Sequence, residues 1–218
     1  MIKIIFEDNH LLVVEKPVNM PVCPDDSKDL DLLTALKDYL KEKYQKPGNV
    51  YLGLVHRLDR PVGGVLVFAK TSKAAARLSD SLRKNLFKKT YLAVVCGQAK
   101  NRSQLQDYLI KDSSANRVSV TTKEQGRLAI LDYSLIKTRD DLSLVEIDLQ
   151  TGRSHQIRVQ MANASLPLWG DQRYNPQSIK GQQIALYASR LSFPHPITKE
   201  TVSFTCYPTG GKIWSYFD

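Results

Sequence analysis

The sequence is poor in cysteine, in long hydrophobic runs and in negative charge, and each shortage narrows the class of protein. Its three cysteines stand far apart in 218 residues, without a CxxC pair, so we expect neither a structural zinc site nor a disulfide framework. Apolar runs stay well below the roughly 20 residues that a membrane span requires. The opening residues also lack the apolar stretch of a signal peptide. We therefore predict a globular protein of the reducing cytoplasm.

Positive charge is in clear excess over negative charge. Lys and Arg number 31 and Asp and Glu 22, which gives a formal net charge of +9. Such an excess favours a polyanionic partner, namely a nucleic acid, an anionic membrane surface or a phosphorylated metabolite. An ordinary solvated surface explains the charge equally well, so composition alone does not choose among these.

The apolar pattern predicts many short strands and few helices. Strands are expected over 2–6, 11–15, 51–58, 65–70, 90–95, 128–137, 142–150, 185–193 and 201–207, and helices over 30–44, 73–86 and 154–163. Residues 100–126 are polar and are expected to form an extended loop or a weak hairpin. The pattern predicts an α+β fold with a mixed, mostly antiparallel sheet. Without a repeat or a linker, residues 1–218 are expected to form one domain with a cleft across its sheet.

One acidic residue ends an apolar stretch among cations. Asp59 follows Val55 closely and is flanked by His56, Arg57 and Arg60, before a proline and two glycines turn the chain. A carboxylate among guanidinium groups stays ionised well below neutral pH, so it can act as a nucleophile or as a base. A structural ion pair that ties a strand end to a turn is the alternative.

A second segment places cations at the expected start of a helix. The chain leaves a strand at Gly152, and Arg153 precedes a helix expected to begin near Ser154. Helix N-termini bind anions through unpaired amides, and His155 and Arg158 would share one helix face. A capped and solvated helix start is the alternative.

A third segment places an aromatic ring beside cations. Tyr91 heads an apolar strand shortly after Lys88 and Lys89. Such a ring can serve as a platform on which a nucleic-acid base stacks, although a half-buried strand tyrosine is the more common role. The chain has no glycine-rich phosphate loop, no HExxH motif and no GxSxG turn.

In this order, the three segments resemble the signature motifs of the RluA-type RNA pseudouridine synthases, which modify ribosomal or transfer RNA. The matching segments are His56–Asp59, Lys89–Tyr91 and Gly152–Arg158, and residues 6–17 resemble the first hairpin of that family. The resemblance runs from about residue 4 to residue 207, nearly the whole chain.

The resemblance implies a fold, a reaction and a partner. The fold is a mixed, mostly antiparallel sheet with a central active-site cleft. The reaction is the isomerisation of specific uridines in rRNA or tRNA to pseudouridine, without a cofactor or a metal. The partner is RNA, and neither a membrane nor an obligate protein partner is implied.

The resemblance also implies three catalytic residues. Asp59 matches the essential aspartate, which acts either as a nucleophile on the ribose or as a base at its 2′ carbon. Tyr91 matches the ring that stacks on the target base. Arg158 matches the basic residue that pairs with the aspartate and keeps it charged.

The remaining motif residues are implied to bind substrate. They are His56, Arg57, Leu58, Arg153, His155, Gln156 and Ile157. Arg57 matches an arginine that can fill the gap left by the flipped nucleotide, and Leu58 and Ile157 would form apolar walls.

Two departures from the family pattern affect what is expected. Pro61 and Val62 stand where relatives often carry a small hydroxyl pair, which changes only local hydrogen bonds. We also expect no separate N-terminal RNA-binding (S4-like) domain. Substrate choice would then depend on the cleft, its loops or residues 100–126.

Two other functions compete with a pseudouridine synthase. One is a catalytically inactive RNA-binding module on the same fold, which would have no need of Asp59, Tyr91 and Arg158 together. The other is a nucleoside hydrolase or nuclease, whose usual cluster of carboxylates or metal ligands is not visible in the sequence.

Overall fold

The computed structural model describes residues 2–217, which form eleven strands and four helices. The elements are β1 (Lys3–Glu7), β2 (Leu11–Lys16), α1 (Leu32–Lys43), β3 (Gly53–Leu54), β4 (Gly63–Ala69), α2 (Ser72–Arg83), β5 (Lys88–Cys96), β6 (Arg102–Asp112), β7 (Arg117–Thr121), β8 (Arg127–Arg139), β9 (Leu142–Leu149), α3 (Gln156–Asn163), β10 (Leu186–Pro194), β11 (Thr201–Thr205) and α4 (Lys212–Ser215). They pack into two compact units, residues 2–87 with 188–207 and residues 88–187 with 208–217.

The first unit is built on two buried strands. Its strand order is β1-β2-β4-β10, with β3 on β4 and β11 on β10. β2 and β4 pair antiparallel, from Leu11 opposite Ala69 to Lys16 opposite Gly64. Every residue of β4 is buried, which explains why this strand reads as a continuous apolar run rather than an alternating one.

Two capped helices complete the first unit. Asp31 caps α1 by accepting from the amide of Thr34, and Thr71 caps α2 by accepting from the amide of Ala74. Helix N-termini leave amides without partners inside the helix, so such side chains define where the helix begins. The buried residues of α1 recur at helical spacing as Leu32, Leu36 and Leu40. Both predicted helices are confirmed.

A buried carboxylate ties α1 to the strands of the first unit. Lys43 and Lys70 each place Nζ 2.7 Å from a carboxylate oxygen of Glu7, and the hydroxyls of Tyr39 and Tyr44 donate at 3.1 and 2.7 Å. Burial raises the pKa of Glu7, but these four donors outweigh it and lower the pKa to about 2.

The second unit has the strand order β5-β9-β8-β6-β7, and these neighbours pair antiparallel. The helix α3 packs on it through Val159, which shares a buried cluster with Leu109, Val118 and Ala129. A second cluster joins the C-terminal residues to the strands, with Phe217 against Val94.

Two regions depart from the expected elements. Of the strand expected over 51–58, only β3 forms, and the chain beyond it is irregular up to β4. Residues 100–126 form a regular hairpin of β6 and β7, so the extended-loop alternative is wrong. The eleven residues of β6 are mostly exposed or half-buried. Their polar composition reflects this solvated position, while pairing with β8 from Arg102 to Leu109 holds the strand in place.

The predicted fold class is confirmed at the level of its elements. Helices and mostly antiparallel strands are both present, as an α+β fold requires. The central cleft and the single domain stay predictions. None of the helices in the described range 2–217 is both long enough and apolar enough to cross a membrane.

Candidate active site

Asp59 lies in a tight turn of the first unit, between β3 and β4. Its carbonyl oxygen accepts from the amide of Val62 at 2.9 Å, and its residue is half-buried. The side chains before it alternate in exposure, since Leu58 is buried and Arg57 is exposed. Gly64 ends the turn at φ +123°, and a Cβ there would lie 2.3 Å from the carbonyl oxygen of Ala188. Only glycine allows this close backbone approach.

A buried lysine, Lys16, is hydrogen-bonded to the backbone of this turn and of the loop before it. Nζ of Lys16 donates to the carbonyl oxygens of Pro17, Met20 and Arg60 at 2.9, 2.6 and 3.0 Å, and the residue is 1% exposed. Burial lowers the pKa of Lys16 to about 7, against the charge of Asp59, which raises it. Lys16 therefore places an amine that is about half protonated at neutral pH close to Asp59, and the sequence analysis missed it.

Two of the residues expected around Asp59, Arg60 and His56, also have partners elsewhere in the first unit. Arg60 donates to Ser27 and Asp29 and lies 3.5 Å from Asp25, so its recorded partners belong to the 25–29 loop. Nε2 of His56 accepts weakly from the amide of Val67 at 3.4 Å. The guanidinium of Arg60 therefore has carboxylate partners of its own in the 25–29 loop.

In the second unit, Tyr91 lies on β5 opposite Ile147 and is 8% exposed. Side chains alternate across a strand, so Lys89 shares the face of Tyr91, while Thr90 points to the other face. There the hydroxyl of Thr90 donates to the carboxylate of Asp148 at 2.7 Å.

The segment before α3 differs from the predicted helix start. The helix begins at Gln156, and His155 precedes it in the left-handed region at φ 51°. The side-chain oxygen of Gln156 accepts from the amide of Arg153 at 2.9 Å and from the hydroxyl of Thr151 at 2.8 Å. This side chain closes the loop and moves the first turn of the helix past Ser154, so His155 and Arg158 do not share a helical face.

Arg158 is held by a buried carboxylate. Its Nε and Nη2 lie 2.8 and 2.7 Å from the two carboxylate oxygens of Asp171, whose side chain is 0% exposed. Two parallel bonds of this kind fix the plane of a guanidinium. The ring of Tyr174 lies against the same group, with its centroid 5.2 Å from Cζ of Arg158. Its hydroxyl is 2.8 Å from Nδ1 of His155, so Tyr174 joins the two residues.

Two buried glutamines anchor α3 to the strands. Nε2 of Gln156 donates to the carbonyl oxygen of Ile130 at 3.1 Å and to the side chain of Gln160 at 2.9 Å. Nε2 of Gln160 in turn lies 2.8 Å from a carboxylate oxygen of Asp107. Gln156 and Ile157 are 2% and 4% exposed, whereas Arg153 is exposed and donates from Nε to the carbonyl oxygen of Leu128.

Sequence reasoning missed Lys16, Asp171 and Tyr174. The only signal near Asp171 is Gly170, which adopts φ +75° and would clash with the carbonyl oxygen of Gln183 if it carried a Cβ. A lone acidic residue after glycine does not reveal its partner thirteen residues away. Within residues 2–217, no group of three or more His, Cys, Asp or Glu residues is placed to hold a metal ion.

Comparison with known proteins identifies the family. Residues 10–163 match the family described as RNA pseudouridylate synthase. The chain is 36% identical over 216 residues to ribosomal large subunit pseudouridine synthase D of Zymomonas mobilis, covering 93% of this chain and 68% of that protein. It is 34% identical over 202 residues to the uncharacterized RNA pseudouridine synthase YhcT of Bacillus subtilis, covering 91% and 66%. The chain therefore belongs to the RNA pseudouridylate synthase family.

Solved structures show the same fold at lower identity. Human RNA Pseudouridylate Synthase Domain Containing 4 matches with a TM-score of 0.81 at 20% identity, over 98% of this chain and 90% of that one. Human RNA Pseudouridylate Synthase Domain Containing 1 matches with a TM-score of 0.77 at 22% identity, over 95% and 84%. The chain spans about two thirds of the length of the two bacterial relatives above.

Proposed function

We propose that this protein is an RNA pseudouridine synthase that isomerises specific uridines of rRNA or tRNA in the cytoplasm, without a cofactor. The observation that carries the proposal is the ordered set of family motifs around Asp59, Tyr91 and Arg158 in a chain that belongs to this family. The two compact units would then act as one catalytic domain.

Asp59 is the proposed catalytic residue, as nucleophile or as base. The N-glycosidic bond of uridine breaks, the uracil turns, and a bond forms from the sugar to uracil C5. C5 then releases its hydrogen as a proton, and N1, freed from the sugar, takes up a proton. A target base must leave its stack to be reached, at a cost of a few kcal/mol, which is smallest in loops and single strands. The half-buried turn that holds Asp59 and the electrostatic attraction between Asp59 and the nearby Lys16 support this assignment.

Tyr91 and Arg158 are proposed to act in the same reaction. Tyr91, near the start of β5 and beside Lys89, is the ring proposed to stack on the target base. Asp171 would keep Arg158 in one orientation through the bidentate pair. The pairing of Arg158 with Asp59 that the resemblance implies stays a prediction.

The proposed substrate contacts fall into two groups. The exposed Arg57 and Arg153 are suited to phosphate or nucleotide contacts. Leu58 and Ile157 are buried and suited to apolar walls. His56, His155 and Gln156 have partners inside the protein, and we propose that they act by shaping the loops that contact RNA.

Release of tritium tests this function. Bulk cellular RNA labelled with tritium at uracil C5 is expected to lose label to water when incubated with the protein. Asp59→Asn should abolish the release while leaving RNA binding largely intact. Asp26→Asn, at an exposed position of the same unit, is the matched control and should release label at the wild-type rate.

Two outcomes would point to the competing functions. RNA binding without tritium release from any cellular RNA would indicate an inactive RNA-binding module. RNA cleavage that a chelator stops would indicate a metal-dependent nuclease.

A further inference from the structure

Lys89 is a cation whose surroundings contain no counter-charge. It is half-buried at the start of β5. Among the residues that the structure describes, its Nζ makes no hydrogen bond and no ion pair. Burial alone lowers the pKa of Lys89, with no charged neighbour contributing. A partly desolvated ammonium without a partner costs free energy, and an anion that bound there would remove this cost.

The ammonium of Lys89 lies against Gly152. A Cβ built on Gly152 would lie 2.9 Å from Nζ of Lys89, and among the described residues no other heavy atom beyond Gly152 and its two chain neighbours lies within 4 Å of that position. Gly152 is not among the residues with positive φ, so its backbone conformation does not require glycine. The missing side chain instead leaves room for the ammonium and for a group bound to it.

Lys89 is also close to the ring proposed to hold the target base. Lys89 and Tyr91 are two residues apart on the same face of β5, a separation of about 7 Å along a strand. That is the scale on which one nucleotide places its base and a phosphate. Arg153 follows Gly152 directly, and its Nε donates to the carbonyl oxygen of Leu128. A second cationic residue is therefore next to Gly152 in the chain.

We propose that Nζ of Lys89, together with the open space over Gly152, binds a backbone phosphate of the RNA nucleotide whose base stacks on Tyr91. The inference rests on the proposed function, because it takes RNA as the ligand. The proposal assigns the phosphate contact to Lys89 and not to the adjacent Lys88, which is exposed and lies on the opposite face of β5.

The test compares the two lysines in RNA binding. A short fluorescein-labelled oligouridylate is titrated with Lys89→Gln, Lys88→Gln and wild-type protein at several salt concentrations, with binding followed by anisotropy. Loss of one phosphate contact reduces the slope of log K against log salt by about 1. We expect this change for Lys89→Gln, with about tenfold weaker binding at low salt, and less than a twofold change for Lys88→Gln.

A second variant keeps the charge and moves it. Gly152→Ala keeps Lys89 in the chain but should displace its flexible ammonium, and we expect binding to weaken several-fold. Equal salt slopes for Lys89→Gln and wild type would overturn the proposal, as would equal losses in Lys89→Gln and Lys88→Gln. Melting curves of each variant show whether it is folded, and a misfolded Lys89→Gln leaves Gly152→Ala to decide.

The proposed function and this site can fail separately. If wild-type protein releases no tritium but Lys89→Gln still alters the salt slope, the reaction is wrong and the phosphate site stands. If wild type releases tritium and the salt slopes agree, the reaction stands and the site is wrong.

Discussion

Lys16 and Lys89 stand at the ends of two buried strands, and their environments are opposite. Lys16 is 1% exposed and donates to three carbonyl oxygens of the first unit. Lys89 is half-buried in the second unit, and no hydrogen bond or ion pair of its Nζ is recorded among the described residues. The sequence around both is similar, a lysine next to a run of apolar residues.

The comparison separates a structural cation from one suited to a ligand. A buried ammonium with a full set of acceptors holds loops together, and removing it leaves those acceptors unpaired. A half-buried ammonium without acceptors contributes little to folding, so a loss of function there would have to come from binding. Stability and binding measurements on matched variants can therefore break or sharpen this distinction.

The largest effect on stability is expected at the buried pair of Arg158 and Asp171. Asp171→Asn should lower the free energy of unfolding by about 4 kcal/mol, because it leaves a buried guanidinium without its carboxylate. Urea unfolding measures this. If the comparison holds, the variant also loses activity through kcat more than KM, because Arg158 loses its orientation. If Asp171→Asn is as stable as the wild type, a buried ion pair is not a sign that a cation stabilises this fold.

The next effect is the direct contrast between the two lysines. Lys16→Met should lower the free energy of unfolding by about 3 kcal/mol, because three carbonyl oxygens lose their donor. Lys89→Met should not lower it and should raise it by about 0.5 kcal/mol or less, because the variant removes a partly desolvated ammonium and leaves no acceptor unpaired. Urea midpoints of the two variants give the answer. Equal losses would end the distinction.

Glu7 extends the comparison to a carboxylate with a full set of donors. Its pKa is about 2 in the folded protein against 4.5 unfolded, so its stabilisation is present above pH 4.5 and is lost as pH falls toward 2. A pKa change of this size corresponds to about 3.4 kcal/mol at most, and solvent screening at the exposed Lys43 reduces it. Glu7→Gln should therefore cost about 2 kcal/mol at neutral pH and little near pH 2, as urea unfolding at several pH values would show. Glu42→Gln, exposed on α1, should run parallel to wild type.

The smallest effect is expected at Arg60. Its carboxylate partners lie in an exposed loop, and exposed ion pairs contribute little to stability. Arg60→Gln should leave the melting temperature and the rate of tritium release nearly unchanged. A collapse of activity with normal stability would restore Arg60 to the cations that act on Asp59.

The parts of the fold that were predicted from sequence depend on local patterns. The helices predicted over 30–44 and 73–86 form as α1 and α2, with Asp31 and Thr71 as the caps that the structure adds, and the apolar run of β4 marks a strand in which every residue is buried. The family and the motif segments were also recognisable, and the family match confirms that resemblance.

The parts that were missed depend on contacts distant in sequence. The side-chain oxygen of Gln156 accepts from the backbone amide of Arg153, and α3 begins at Gln156 rather than at Ser154. Hydrophobic periodicity does not reveal such a bond. Arg158 donates to Asp171, which lies thirteen residues away in sequence, and Lys16 donates to the carbonyl oxygen of Arg60, which lies forty-four residues away. Residues 100–126 could be predicted only as an extended loop or a weak hairpin, because pairing with β8, rather than an apolar face, holds β6 in place.

The side-chain amides of Gln156 and Gln160 form a series of hydrogen bonds in which each group has a fixed role as donor or acceptor. Backbone groups set its direction, because the amide of Arg153 can only donate to Gln156 and the carbonyl of Ile130 can only accept from it. Gln160 must then present its oxygen to Gln156 and its nitrogen to Asp107. Neither side chain can be reversed without reversing the other. Exchanging Gln156 for glutamate would keep the bonds that its oxygen accepts and remove both bonds that its nitrogen donates, to Ile130 and to Gln160.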